Sequence, residues 1–273
     1  MAARKRQQAL DTIWRVSDDL WGMIEPLLKR RYPARTTGRP RADFRKVIDG
    51  IIFRLRSGCQ WNQLPATFGP DSTVHQWFQV WCRDGLMLDI WKSLVKRCDA
   101  LGEVSWEWQS ADGAMGKARF GGDHVGPNPT DRGKNGTKRS ILVDEFGGPL
   151  GIVIAGANVH DTKLLKATLD SIVTSRPDQD QHLCLDKGYD NPTGHRTMFG
   201  SVYTAHIRRI GQEGGLRHPQ GKPRRWVVER TFSWLSKCRA LLVRYDKHAC
   251  NFLGLLQLAC ALLWYRRLAS PQR

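Results

Sequence analysis

The sequence lacks the cysteine pattern of a disulfide-stapled domain or a zinc ribbon. Its seven cysteines are odd in number and scattered along the chain, and no two of them form a Cys-x-x-Cys pair. A small secreted scaffold has an even, closely spaced set, and a zinc ribbon has paired cysteines. We therefore expect free thiols in a reducing cytosol.

Long apolar runs and internal repeats are also missing. The N-terminus, Met-Ala-Ala-Arg-Lys-Arg-Gln-Gln, has no apolar core segment, which argues against a signal peptide. The longest apolar stretch, residues 252–265, is shorter than the roughly 20 residues that cross a bilayer, and it predicts a buried C-terminal helix. With 41% hydrophobic residues and eleven tryptophans, the chain can still bury a substantial core.

Acidic residues are scarce relative to basic ones. The chain has 26 Asp and Glu against 43 Lys and Arg, a net charge of +17 and a pI near 10.0. Such a charge favours fast, salt-sensitive association with a polyanion. Nucleic acid is the expected partner, although a ribosomal or merely soluble basic protein has the same composition.

Three of the few acids stand where different elements would bring carboxylates to one edge of a sheet. They are Asp112 at the end of a predicted strand (106–112), Asp186 at the end of an apolar run (182–186), and Glu229 in a helical pattern (224–242). A lone acid at a strand end is usually a solvated loop residue. Three acids on these elements of a basic chain instead favour a metal site.

Phosphodiester chemistry explains why three carboxylates are needed together. Two divalent ions a few ångströms apart hold the attacking and the leaving oxygen in line. Mg²⁺ prefers carboxylate ligands and keeps several waters, so three acids can serve two ions. Without metal the clustered charges repel and raise one another's pKa. The trio therefore predicts a two-metal nuclease arrangement.

The first hundred residues predict helices. Ser17 is placed to cap one, whose later turns Pro26 would disturb, and an apolar stripe over residues 42–57 predicts a second that ends at Gly58. A third opens at Ser72 after a short helix and a turn, a succession that resembles a helix-turn-helix. Its exposed positions suit base or phosphate contact but are also ordinary helix-surface choices: His75, Gln76, Gln79 and Arg83.

A run of basic residues links the first two predicted helices. Residues 29–46 contain eight Lys or Arg and one acid, Asp43. Such a run is usually a solvated face. Here the sequence Thr-Gly-Arg-Pro-Arg, with Arg39 and Arg41, also resembles an arm that enters the minor groove of DNA. Both interpretations stay open from the sequence.

From residue 106 the pattern changes to strands that alternate with helices. Strands are predicted over 138–143 and 150–155, a helix over 164–172, a strand ending at Asp186, a short helix over 193–199 and a strand over 202–207. Residues 120–137, rich in Gly, Pro and Asn, predict a mobile loop, and 211–223 a second one. The succession predicts a mixed α/β sheet.

These residues resemble a known family. Asp-Gly at 112–113, Leu-Asp-Lys-Gly-Tyr-Asp at 185–190 and Trp-Val-Val-Glu-Arg-Thr-Phe-Ser-Trp-Leu at 226–235 are similar to the DDE transposases of the IS5 group of bacterial insertion sequences. The segments 125–134 and 157–161, and Ser-Gly-Cys-Gln-Trp at 57–61, are also similar to that group. The resemblance covers nearly the whole chain.

The resemblance implies a fold, a reaction and a cofactor. It implies a helix-turn-helix-like α-helical DNA-binding domain (1–100) before an RNase H-like catalytic domain (101–273). It assigns Asp112, Asp186 and Glu229 as ligands of two Mg²⁺ or Mn²⁺ ions. Such enzymes bind the terminal inverted repeats of their element, cut the DNA ends, and join the freed 3′-hydroxyls to target DNA by transesterification. The interval from Asp186 to Glu229 is too short for the large inserted subdomain of some related enzymes.

Basic residues near the acids are candidates for DNA contact. Arg225 precedes Glu229 by four positions, so it shares that helix face and can hold a phosphate or balance the carboxylate. The wider family signature has Tyr and Lys where this chain has Lys222 and Ser236, so Lys237 or Arg239 is the substitute for the Lys, unless both are plain surface charge. The remaining candidates near the acids are Arg230, Lys117 and Arg119.

Several alternatives stay open from the sequence. His160 and Asp161 are a second layer behind the acids or a local helix cap. The C-terminal helix, with Leu253, Leu256, Leu263 and Trp264, contributes to the homodimer expected on paired DNA ends or belongs to the core. The same metal chemistry would serve an RNase H-like nuclease without strand transfer. A non-catalytic DNA-binding protein derived from a transposase is the alternative from another class, and the intact acid trio argues against it.

Overall fold

The first part of the chain folds into helices. The computed structural model describes residues 12–34, 36–38, 40–207 and 224–269. Its first four helices are α1 (Asp18–Arg31), α2 (Phe44–Ser57), α3 (Asp71–Arg83) and α4 (Leu86–Ala100). Ser17 caps α1 by accepting a hydrogen bond from the Leu20 amide, and Gly58, in the left-handed conformation at φ 70°, ends α2. Both helix signals predicted from the sequence are confirmed.

Two details of this region differ from the prediction. Helix α1 continues past Pro26 to Arg31, because Leu20, Ile24 and Leu28 form a buried stripe along it while Pro26 lies on its exposed side. The short helix before α3 is made of two single-turn 3₁₀ segments, Trp61–Gln63 and Ala66–Phe68. The predicted succession of short helix, turn and longer helix is otherwise present.

The second part alternates strands with four further helices. The strands are β1 (Trp108–Ala118), β2 (Gly126–Pro127), β3 (Asn135–Asp144), β4 (Pro149–Gly156), β5 (Gln181–Leu185), β6 (Tyr203–Ile207) and β7 (Val243–Arg244). The helices are α5 (Asp161–Asp170), α6 (Pro192–Phe199), α7 (Trp226–Ser236) and α8 (Ala249–Ala269).

Five of the strands form the main sheet in the order β4-β3-β1-β5-β6. Strand β1 pairs antiparallel with β3, and β3 pairs antiparallel with β4. On the other side β5 runs parallel to β1, and β6 runs parallel to β5. Short β2 extends the pairing of β3, and β7 pairs with the end of β1. Three antiparallel strands followed by two parallel ones give the RNase H-like topology, so the predicted fold class is confirmed.

Strand β1 is longer than predicted, and helix α7 is shorter. The first strand runs six residues beyond Asp112, because its pairing with β3 continues from Gln109 to Lys117. The segment predicted as a loop, 120–137, contains β2 and the start of β3. The helix predicted over 224–242 ends at Ser236, after which a 3₁₀ turn leads into β7. Asp112 therefore lies within its strand rather than at the strand's end.

Helix α8 connects the sheet to the first four helices. By length and composition alone it could cross a membrane, but 61% of its apolar window is buried inside the fold. The indole of Trp264 donates to the carbonyl of Pro149 at 2.6 Å, and the Cys98 thiol donates to the carbonyl of Trp264 at 3.7 Å. The predicted burial of this helix is confirmed, and Leu256 and Trp264 are core residues. One hydrophobic core thus runs across the predicted domain boundary at residue 100, which itself stays a prediction.

Candidate active site

Asp112 projects from the central strand of the sheet toward helix α7. Its Oδ1 accepts a hydrogen bond from the amide of Gly113 at 2.8 Å, and its Oδ2 accepts from Nη1 of Arg225 at 2.8 Å. Alternation along β1 places Gly113 on the other face of the sheet, the face that α5 covers. The Asp112 carboxylate is therefore reached from the α7 side, and Arg225 lies against it there.

Glu229 shares the same arginine. Arg225 immediately precedes the first residue of α7, and its Nη2 lies 2.9 Å from Oε1 of Glu229. The four-residue spacing that predicted this contact is the spacing of neighbours on a helix face. The Glu229 side chain is 59% exposed, so it stands at the opening of the site rather than inside it. One guanidinium thus bridges two acids from two different elements.

Asp186 comes from the next strand of the sheet. It directly follows β5, and its Oδ1 accepts from the amide of Lys187 at 2.8 Å. The parallel register pairs Ser110 with Cys184, two residues before Asp112 and two before Asp186, so the two acids stand at the same level of neighbouring strands. The sheet therefore places Asp112 and Asp186 side by side, although Asp112 lies within its strand and not at the predicted strand end.

The charges of these acids act on one another. Burial of the Asp112 carboxyl raises its pKa above the ordinary value, while the hydrogen bond from Gly113 and the charge of Arg225 oppose the rise. The negative charges of Asp186 and Asp161 add to it. A cation placed beside these carboxylates would relieve the same repulsion.

The donor set meets only part of what a divalent cation needs. Within the described residues, no group of three His, Cys, Asp or Glu side chains is close enough to hold a metal ion. The guanidinium of Arg225 instead occupies a cation position between Asp112 and Glu229. Carboxylate oxygens are the ligands that Mg²⁺ prefers. The acids therefore fit a divalent cation in their chemistry, provided that Arg225 gives way.

The predicted DNA-contact residues fall into two groups. Six of them are exposed: Arg83, Lys117, Arg119, Lys237, Arg239 and Gln76. Strand β7 brings the predicted cations of two regions together, because it pairs with β1 at Lys117 and follows Arg239 by a few residues. An exposed basic surface, formed by Lys117, Arg119, Lys237 and Arg239, therefore lies beyond the acids at the end of β1.

Other predicted contacts are already engaged inside the protein. Arg230 donates to the carbonyl of Phe146 at 2.7 Å and lies against the rings of Trp226 and Trp234. Arg41 lies over Tyr32 and Trp77. Gln79 is hydrogen-bonded to His75 at 3.2 Å. Arg39, Lys222 and the segment 211–223 lie outside the described residues.

Two neighbours of the acids were not singled out from the sequence. Arg224 stacks over the ring of Trp108 at 3.8 Å and donates to Glu145 at 2.8 Å, which fixes the chain just before Arg225. Tyr189, which ends the 3₁₀ turn after Asp186, is buried. Trp108 in the predicted strand was the available sequence signal for the stacking of Arg224. No local pattern indicated the burial of Tyr189.

Residues 160 and 161 have different roles in the structure: the first caps a helix, and the second forms an ion pair. His160 is a local cap, since its Nδ1 accepts from the amide of Thr162 at the start of α5. Asp161 instead pairs with Lys138 of β3, with 2.9 Å between Nζ and Oδ2. Asp161, the second residue of the predicted pair, therefore faces the sheet.

Two family models match the chain. Residues 106–264 match the family described as "Transposase DDE domain", and residues 16–91 match "Putative transposase of IS4/5 family". The first match covers the sheet, the acids and most of α8. The second covers α1 to α3 and the first part of α4.

Curated relatives come from one bacterial element of Burkholderia cepacia. The chain is 35% identical over 158 residues to the "Putative transposase for insertion sequence element IS402", a match that covers 55% of this chain and 72% of that protein. It is 30% identical over 118 residues to the "Insertion element IS402 uncharacterized 16.2 kDa protein", covering 42% of this chain and 80% of the relative.

Solved structures give more distant matches. The Mos1 strand transfer complex aligns with a TM-score of 0.32 and 12% identity, over 86% of this chain and 80% of that one. The Mos1 mariner paired end complex with Mn aligns with a TM-score of 0.32 and 11% identity, over 90% and 86%.

Proposed function

Because this chain belongs to the DDE-domain transposases of the IS4/5 group, we propose that it cuts and joins DNA at the ends of an insertion sequence. The protein binds the terminal inverted repeats of its element, hydrolyses the phosphodiester bond at each end, and joins the free 3′-hydroxyls to target DNA. It acts on nucleoid DNA in the bacterial cytoplasm, as a homodimer that holds two ends together.

The observation that supports this proposal best is the link between acids of three elements through the sheet register and Arg225. Asp112 comes from the middle of β1, Asp186 follows β5, and Glu229 lies in the first turn of α7, which is held to Asp112 through Arg225. Two divalent ions, Mg²⁺ or Mn²⁺, would be held by these carboxylates and would supply the charge that activates the attacking oxygen and stabilises the leaving one.

The chain's own cations orient the DNA. Arg225, which pairs with Asp112 and Glu229, would be placed to bind a phosphate beside the reacting bond once those carboxylates had another counter-charge, because its planar, forked geometry suits phosphate oxygens. Arg224, fixed by Trp108 and Glu145, keeps the start of α7 in position.

The exposed basic residues beyond the acids hold the rest of the DNA strand. Lys117, Arg119, Lys237 and Arg239 supply phosphate contacts that are independent of sequence. Helix α3 presents Gln76 and Arg83 outward, where they can read or hold the terminal repeat. Arg41, which precedes α2 and packs over Trp77 of α3, adds positive charge beside them.

Two acids that flank β5 allow a matched test. Asp186→Asn removes a proposed metal ligand, whereas Asp180→Asn changes an exposed acid just before the same strand. Each protein is incubated with Mg²⁺, a plasmid and labelled duplexes from the element's ends. We expect joined product from wild type and from Asp180→Asn, and none from Asp186→Asn.

Other results would point to the two alternative functions. If the protein cleaves the duplexes but does not join even a supplied pre-cut end with a free 3′-hydroxyl, it is an RNase H-like nuclease. DNA binding with no cleavage by wild type would identify a transposase-derived DNA-binding protein.

A further inference from the structure

The far end of β1 carries an exposed pair of aromatic rings. Phe120 is 61% exposed and Tyr245 is 49% exposed, and the two rings lie edge to face with 5.6 Å between their centroids. Of the eight large apolar side chains that are exposed in the part of the chain that the structure describes, four come from here, since Met115 belongs to β1 and Leu242 directly precedes β7. Exposed apolar side chains that gather in one place usually mark a binding surface.

A buried arginine fixes the two loops that carry these rings. Phe120 follows Arg119, whose amide donates to the carbonyl of Arg244 at 2.8 Å. The Arg244 residue is 1% exposed. Its guanidinium donates, at distances from 2.6 to 3.3 Å, to the hydroxyl of Thr137 and to the carbonyls of Asp123, His124, Asp246 and Lys247. The rings are therefore held in position before any ligand binds, which lowers the entropy cost of binding.

A close backbone contact joins the same two loops. Gly122 has a φ of +112°, and a Cβ built on it would lie 2.2 Å from the carbonyl oxygen of Lys247. The amide of the next residue, Asp123, donates to that carbonyl at 3.1 Å. The loops thus pack backbone against backbone, so the exposure of the two rings belongs to a fixed structure.

The exposed charges beside the rings are mainly positive. Arg119, next to Phe120, and Lys247, two residues after Tyr245, are both exposed, and Arg119 belongs to the exposed basic surface. The loops also contain two acids: Asp246 is buried beside Arg54, and Asp123 accepts from the amide of Ala249 at the start of α8. Open aromatic rings between cations are the arrangement with which proteins bind unpaired nucleic-acid bases, because rings stack on bases while cations hold phosphates.

The aromatic pair is separate from the acid site. Strand β1 ends at Ala118, six residues beyond Asp112. With a rise of about 3.3 Å per residue, that end lies about 20 Å from Asp112 along the strand. Successive base pairs of a duplex are about 3.4 Å apart, so this distance corresponds to roughly six base pairs.

We propose that Phe120 and Tyr245 stack an unpaired nucleobase of the bound DNA, while Arg119 and Lys247 hold the phosphates beside it. The inference rests on the proposed function and adds to it a second DNA-binding site, which recognises an unpaired base of any sequence. The edge-to-face arrangement suits this role, because each ring covers at most one face of the other and leaves ring surface open for a base.

Two kinds of probe separate base stacking from phosphate contact. One is a fully paired duplex from the element's end, and the other is the same duplex with a short unpaired tract about six base pairs from the cleavage position, placed on the element side or on the flanking side. Affinities are measured in EDTA, which prevents cleavage. Phe120→Leu and Tyr245→Leu should each weaken binding to a tract probe by about 5-fold or more, and binding to the paired duplex by less than about 2-fold.

Matched variants control this experiment. Phe199→Leu makes the same change at a phenylalanine of α6 that is 96% exposed, and it should bind both probes as wild type does. Tyr245→Phe keeps the ring and should also bind as wild type does. A 2-aminopurine base in the tract should lose fluorescence when it binds wild type or Tyr245→Phe, and should lose less when it binds Phe120→Leu. Thermal midpoints check that each variant is folded.

Three results would overturn the inference. The first is unchanged affinity of folded Phe120→Leu and Tyr245→Leu for tracts on both sides. The second is an equal loss on paired and unpaired probes, which would indicate contact with the duplex backbone. The third is a loss that accompanies dissociation of a protein dimer in sedimentation, which would assign the rings to contact with a second copy of the chain.

Failure of the proposed function would look different. If wild-type protein binds neither the paired duplex nor the tract probes, the proposed function fails and this inference fails with it. If wild type binds the paired duplex but shows no preference for an unpaired tract, only the second DNA-binding site is removed.

Discussion

The guanidinium of Arg225 lies 2.8 Å from Oδ2 of Asp112, which belongs to a different element of the fold, and its second nitrogen lies 2.9 Å from Glu229. It holds helix α7 against the central strand at the point where cations are needed for the proposed reaction. Arginine suits this bridging because its planar fork donates in two directions at once, whereas lysine is a point charge. One positive charge thus offsets part of the negative charge of the acids.

Arg225→Gln should therefore separate metal binding from catalysis. Loss of the competing cation should leave Mn²⁺ affinity equal or higher, while strand transfer should fall by about 100-fold or more for want of a phosphate-binding group. Glu229→Gln should lose both. Parallel Mn²⁺ titration and strand-transfer assays check this, and an Arg225→Gln protein that joins DNA at the wild-type rate would contradict it. Arg225→Lys should restore only part of the activity.

Asp112→Asn should stabilise the fold near neutral pH. Burial raises the pKa of Asp112 in the folded state above its unfolded value, so the charged form destabilises the fold at pH above the folded pKa. Below the unfolded value of 3.8 the wild-type side chain is neutral in both states, and the penalty is absent. The gain in thermal midpoint should be full at pH 7 and should disappear as the pH falls toward 3.8. A loss of stability at pH 7 would contradict the argument.

Gly113→Ala should disturb the acid site through one atom. The added methyl would overlap Oδ1 of Asp161, so the carboxylate or the strand must move, at a cost of about 1–3 kcal/mol. The double variant Gly113→Ala with Asp161→Ala removes the overlap. Urea unfolding should show that Gly113→Ala costs little in the Asp161→Ala background, where only the lost ion pair with Lys138 destabilises the fold. Full additivity of the two single changes would exclude the overlap as the cause.

The packing of α8 on α3 can be tested in the same way. A Cβ at Gly254 would lie 2.3 Å from the Sγ of Cys82. Gly254→Ala should destabilise the protein by about 1–3 kcal/mol, and Cys82→Ala in the same chain should restore much of the stability. The coupling energy from denaturant unfolding of the four proteins measures the contact. Unperturbed stability of Gly254→Ala would mean that the helices are packed less closely.

The basic surface beyond the acids makes a prediction about salt. Lys237→Gln or Arg239→Gln should weaken binding to any duplex by a similar factor and reduce the slope of log Kd against log salt by about one for each phosphate left unneutralised. Lys166→Gln is the control, because Lys166 is exposed but pairs with Asp170 on α5. Titrations at several salt concentrations check the slopes. Equal slopes for Lys237→Gln and the control would remove Lys237 from the surface.

Local patterns predicted much of the fold. The apolar stripe of α2 with Gly58 after it, and the apolar runs that became β3, β4 and β5, are each written in a few consecutive residues. The strand patterns also placed Asp112 and Asp186 on strands, which the structure shows to be neighbours, although only Asp186 lies at a strand end. The contact of Arg225 with Glu229 followed from helical spacing alone. Apart from the neighbouring positions of Asp112 and Asp186, these features join residues that are close in the sequence.

Features set by distant partners were not predictable in this way. The length of β1 depends on pairing with β3 and β7, and α7 ends early because the chain must turn to reach β1 again. The contact of Asp161 with Gly113 joins two elements that are far apart in the sequence. Pro26 within α1 was misjudged because tertiary burial of its neighbours outweighs the lost backbone hydrogen bond. Such outcomes depend on packing that one segment does not encode.

Helix α8 follows every other described element in the chain, yet it fills the core of the first four helices through contacts such as that of Trp264 with Cys98. During synthesis the N-terminal helices leave the ribosome well before this helix exists, so their apolar surface stays uncovered until translation has passed residue 264. A chain that ends before α8 would therefore leave the apolar surfaces of α3 and α4 uncovered. If these helices bind DNA as proposed, binding would begin only when the polypeptide that also contains the acids has been made.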